Sequence, residues 1–72
     1  MSRQVRDVEV REDGIRLGQF LKLSGLAESG SHAKSLLEDD LVSVNDEAEQ
    51  RRGRQLARGD VVTVGTEHAR VV

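Results

Sequence analysis

Apolar residues alternate with charged ones at the start of the chain, recur at helical spacing through its middle and alternate again at its end. In Gln4 to Arg11, Val8 and Val10 lie two apart, as a half-buried strand requires, with Val5 out of phase and Asp13-Gly14 as the closing turn. Leu17, Phe20 and Leu21 then stand at i, i+3 and i+4, with Ser24 on the same face and Gly25 as the stop, which predicts a short amphipathic helix. Gly18 is a poor residue inside it, costing about 1 kcal/mol relative to alanine. A second helix follows, capped by Ser29 or Ser31 and striped by Ala33, Leu36 and Leu37. Lys22 and Lys34 lie off the two stripes. This helix ends in Glu38, Asp39 and Asp40, the wrong sign for a negative dipole end, so something beyond local preference must set its terminus.

Val42-Ser43-Val44 reads as a strand, Asn45-Asp46 as a tight turn with positive φ, and Glu47 to Glu49 as the return strand of a small hairpin. Leu56 is a lone apolar anchor, and Arg58-Gly59-Asp60 turns the chain. Val61, Val62 and Val64 form a strand, Gly65 to Glu67 a turn, and Ala69 to Val72 a closing strand. The order implies one α+β domain spanning residues 1–72, with two short helices packed on a small, mostly antiparallel, twisted sheet.

Composition narrows the chemistry. Seventy-two residues with no cysteine leave no disulfide, no thiolate nucleophile and no zinc-binding thiolates, and the two histidines, His32 and His68, are too isolated for a metal site. The core is aliphatic, with Phe20 as the only aromatic residue, and offers no cavity for an organic cofactor; no cofactor is expected. There is no apolar run of about 18 residues to cross a membrane, and MSRQVRDVEV lacks the apolar stretch of a signal peptide, so a cytoplasmic protein is the default expectation. No nucleophile–base arrangement or glycine-rich nucleotide loop is present, and carboxylates are adjacent only within charge runs. The chain therefore reads as a binding protein and not an enzyme.

The net charge of −2 conceals a sharp segregation. Ile15 to Leu37 carries Arg16, Lys22 and Lys34 against Glu28; Glu38 to Gln50 carries six acids and no base; Arg51 to Arg58 carries four arginines and no acid. Guanidinium forks match phosphate oxygens bidentately, and Gly53 inside the arginine run lets a backbone approach closely. Lys34 and His32 sit in the first turns of a helix whose free N–H groups favour an anion.

This succession resembles the S4 RNA-binding domain family, the alpha-L motif. The matching residues are Arg16-Leu17 with Phe20-Leu21-Lys22, Ala33-Lys34 with Leu36-Leu37, Val42-Ser43-Val44-Asn45, and Gly59-Asp60-Val61-Val62. Within the family the chain is similar to the small stand-alone bacterial proteins of the YbcJ/YaaA type, through its FLKLSGL-AESGSHAK run and its RRGR loop. The motif core covers residues 15–64. Gly18 stands where the family usually has an acid, Gly30 where many members have an arginine, and Asp40 and Asp46 where glycines are usual.

The resemblance implies non-catalytic recognition of structured RNA, of ribosomal or transfer RNA class, by a face built from Lys22, Ser29, Gly30, Ser31, His32 and Lys34, then Arg51, Arg52 and Arg54. With no exposed aromatic residue to stack bases, contacts would go to phosphate and sugar. The expected partners are that RNA and a ribosome-associated protein, with no membrane and a monomeric chain. A rival reading makes the acidic segment Glu38 to Glu49 a docking surface for a ribosome-associated protein.

Overall fold

The computed structural model describes residues 4–11 and 13–72. Residues 1–3, which open the stretch compared above with a signal peptide, and residue 12 lie outside them. The apolar stripes meet in one core between two helices, α1 (Leu17–Leu23) and α2 (Gly30–Glu38), and one face of a five-stranded sheet. The strands are β1 (Val5–Val8), β2 (Val42–Val44), β3 (Glu47–Ala48), β4 (Val61–Val64) and β5 (Glu67–Val71), in spatial order β1-β5-β4-β2-β3. Only β1 and β5 run parallel; the other three pairings are antiparallel. Side chains two apart share a face, so the register that sets Val44 opposite Val62, and Val62 opposite Ala69, aligns three buried residues across neighbouring strands. Leu17, Phe20 and Leu21 from α1 and Ala33, Leu36 and Leu37 from α2 belong to the same core.

Local chemistry fixes the helix ends. Gln19 Oε1 accepts from the Arg16 N–H at the start of α1, and Gly25 terminates the helix with φ +80°, its N–H donating to the Lys22 carbonyl. Ser29 caps α2 by accepting from the His32 N–H at 3.1 Å. The acidic end of α2 is held by backbone bonds: the Asp40 N–H donates to the Leu37 carbonyl and the Leu41 N–H to the Leu36 carbonyl, at 3.2 and 3.0 Å. This is a Schellman closure with Asp40 in the left-handed region at φ +59°. The closure lies within residues 36–41, so the acidic terminus is held by local backbone geometry and not by the determinant beyond local preference that the charge pattern called for. Asn45 and Asp46 both take positive φ in the two-residue turn between β2 and β3. The Asn45 side chain also bridges to the start of β4, accepting from the Val61 N–H and donating to Asp60 Oδ1.

Three boundaries differ from the sequence expectation. The first strand spans Val5–Val8, so Val5, out of phase in the alternation, lies within it, and the buried Val10 lies beyond its end, its N–H donating to the Val72 carbonyl at 3.1 Å. The last turn is only Gly65-Thr66, because Gly65 at φ +61° closes a tight reversal that pairs Val64 with Glu67. The closing strand therefore starts at Glu67, and His68 lies within it, its Nδ1 2.8 Å from Thr63 Oγ1 on the facing strand. The hairpin's return strand stops at Ala48; Glu49 beyond it still donates its N–H to the Val42 carbonyl at 3.0 Å, and its side chain is buried.

Candidate nucleic-acid interface

The start of α1 is where helices and arginine loop converge. The first N–H groups of a helix lack intrahelical acceptors. Here those of Leu17 and Gly18 donate to the carbonyls of Arg54 and Arg52, at 2.8 and 3.0 Å. Just outside the helix, a β-bridge joins Arg16 to Gln55 and the Leu56 N–H donates to the Ile15 carbonyl at 2.8 Å. The arginine loop is thus stitched along the front of α1 by backbone bonds. Gly18 permits that approach: a Cβ at this position would stand 2.5 Å from Cγ of Arg52 and 3.5 Å from its carbonyl oxygen. The residue that costs helix propensity makes room for the loop.

An open groove of about 330 Å³ lies at this junction. Arg16, Gln19 and Lys22 line it from the side of α1, Gly30 and Ala33 from α2, and Arg52 and Gly53 from the loop, with Gly18 also contributing. Three cationic side chains and three glycines therefore share one concave surface, which combines positive charge with space for a close-packed backbone.

The structure thus brings Lys22, Gly30 and Arg52 together. The other anticipated residues sit around this groove in different circumstances. The Ser29 hydroxyl caps α2, and His32 Nδ1 accepts from the Glu28 N–H at 3.0 Å, so both hold the helix entry in shape. Ser31 is exposed in the first turn of α2. Lys34 stands 3.9 Å from Glu38, but both side chains are nearly two-thirds exposed, which makes a weak pair that leaves the ammonium free to re-aim. Arg51 and Arg54 both engage Glu49. Sequence reasoning named Arg16 among the motif-matching residues and Glu49 at the end of the rival acidic docking segment, but placed neither of them, nor Gln19, in the binding face. A usable signal existed for Arg16 and Gln19: Gly18 and Lys22 lie four apart on the face away from the core stripe, where polar neighbours flank a missing side chain.

Glu49 is the electrostatic centre of the loop. Its side chain is only 9% exposed, and its carboxylate accepts from Arg51 Nε and Nη2, from Arg54 Nη1 and from the backbone N–H groups of Gln50 and Arg51. Hydrogen bonds from the Arg51 guanidinium, opposed by burial and aided by the Arg51 N–H and by Arg54, hold its pKa down at about 2 against an ordinary 4.5. A carboxylate more acidic in the folded state adds stability that is fully present above the unfolded value and is lost as pH falls toward the folded one. Glu49→Gln should lower the melting temperature at neutral pH by an amount corresponding to about 1–2 kcal/mol. In paired melts, the gap between parent and variant should close as pH falls from about 4.5 to about 2.

Two short helices meeting an arginine loop in a cationic groove, on a mixed five-stranded sheet, describe an S4 domain. The S4 domain family model matches residues 8–72, and the chain belongs to that family. It is also 47% identical over 57 residues to a protein of Bacillus subtilis (strain 168) described as probable ribosome maturation protein RlbA; the match covers 79% of this chain and 80% of the relative. Among the described residues, no helix is long and apolar enough to cross a membrane, and no group of three His, Cys, Asp or Glu side chains is gathered to hold a metal ion.

Proposed function

We propose that the protein is a non-catalytic RNA-binding domain that grips structured RNA, of ribosomal or transfer RNA class, in the groove between α1, the front of α2 and the arginine loop. The observation that carries this reading is the convergence of Arg16, Lys22 and Arg52 on a concave surface that Gly18, Gly30 and Gly53 also line. Phe20, the only residue among Phe, Trp and Tyr in the chain, is fully buried, so no such ring faces the groove, and the contacts we assign are to phosphate and sugar. Recognition then follows the shape of a folded RNA. The description of the Bacillus relative as a probable ribosome maturation protein supports a ribosomal context, and with it work in the cytoplasm. Crosslinking the protein to RNA in cells and sequencing the attached fragments tests the proposal. Enrichment of base-paired segments of ribosomal or transfer RNA is expected; recovery of no RNA above an uncrosslinked control contradicts it.

The groove has room for another cation. A Cβ at Gly30 would meet no heavy atom within 4 Å. Gly30→Arg should therefore fold normally and tighten binding to the same RNA by about 3–10-fold in a filter-binding titration, as one added phosphate contact would.

A further inference from the structure

We propose that Glu49 is the positioning residue of the RNA-binding groove, holding the arginine loop so that Arg52 alone of the RRGR cluster is delivered to the groove; the inference rests on the RNA-binding reading above. The carboxylate grips the residues on both sides of Arg52. One oxygen accepts from the Arg51 and Arg54 guanidinium groups at 3.1 Å each, and the other accepts from the Gln50 and Arg51 backbone N–H groups at 3.1 and 3.3 Å. Glu49 is itself tied to β2 by its own N–H, which donates to the Val42 carbonyl. The loop so held presents the Arg52 carbonyl to Gly18 and lays the Arg52 side chain across the space that Gly18 leaves open. Arg52 lines the groove, whereas Arg51 and Arg54 do not.

The three arginines thereby divide into two anchors and one ligand-facing group. This division explains how a buried acid can sit next to a phosphate-binding surface. Its charge is consumed within the protein by two guanidinium groups, and its geometric effect on Arg52 outweighs its repulsion of RNA.

Charge alone and positioning predict opposite signs. Removing a negative group beside a phosphate site should strengthen binding if only electrostatics mattered. If Glu49 acts through Arg52, Glu49→Gln should weaken binding to a structured ribosomal RNA fragment by about tenfold, although the protein gains a unit of positive charge. In an Arg52→Ala background the same substitution should change affinity by less than about twofold, because its route is already cut. Glu49→Asp keeps the charge but falls a methylene short of the loop; it should weaken binding severalfold and keeps the test decisive should Glu49→Gln not fold. Equal or tighter binding by both Glu49 variants overturns the proposal, as does full additivity with Arg52→Ala. Failure of the parent protein to bind RNA overturns the underlying RNA-binding reading, a separate outcome visible in the same titration.

Discussion

Replacing Arg16, Lys22 and Arg52 together with alanine is expected to weaken binding to structured ribosomal RNA by about 100-fold near physiological salt, with the melting temperature moving by only a few degrees. All three residues are exposed, and the structure shows no ion pair on any of them among the described residues. Their removal therefore leaves no partner stranded in the core, and surface substitutions of this kind usually cost little stability. Their effect on RNA should be large because they are the cations that line the groove, and each phosphate contact brings counterion release as well as direct attraction. Arg70→Ala offers the contrast. It removes a cation from β5 whose guanidinium donates to Asp7 Oδ1 at 3.2 Å, and affinity should change by less than about threefold. Filter binding and circular dichroism melts of the same samples separate the two effects.

The largest stability effect belongs to Phe20. Its side chain is fully buried on α1, among the largest in a core made otherwise of leucine, isoleucine, valine and alanine. Phe20→Ala should destabilise the domain by about 3–5 kcal/mol through lost burial and the cavity left behind. A chain of this length has roughly 4–11 kcal/mol of stability in total, with little redundancy in so small a core. The variant should unfold at a much lower urea concentration than the parent and lose RNA binding with its fold. Phe20→Leu, which refills most of the volume, should recover most of both. Because Phe20 and Lys22 sit on the same short helix, one on the core side and one lining the groove, the pair separates the helix's structural role from its binding role.

Where the determinants are local, they were legible in the sequence. The stripe of Leu17, Phe20 and Leu21, the Ser29 cap, the Gly25 stop and the Asn45-Asp46 turn each depend on residues within a few positions, and each lies where the pattern places it. The pairing of β1 with β5 is not of this kind. It joins residues more than sixty positions apart, and nothing in the alternation of Val8 and Val10 specifies a parallel neighbour. Glu49 shows the same gap on the functional side. In the sequence it closes an acidic run and reads as negative surface; in the fold it turns inward because the loop after it folds back on α1 and brings two guanidinium groups to it. Gly18 reads as a weakness of the helix until the stem of the Arg52 side chain is seen to occupy the place of its Cβ, with the Gly18 N–H donating to the Arg52 carbonyl. The arginine cluster was visible as charge. Its division into anchors and a groove-lining residue depends on that long-range docking.

The central claim is that the groove binds RNA through its phosphates, and the salt dependence of affinity tests it most directly. Titrating the parent protein against a structured ribosomal RNA fragment at several salt concentrations should give a line of log affinity against log salt with a slope of about −2 to −3, as three phosphate contacts require. The Arg16, Lys22 and Arg52 triple-alanine variant should flatten that line to a slope near zero. A parent slope near zero, or a triple-variant slope as steep as the parent's, would contradict the assignment of RNA binding to this groove.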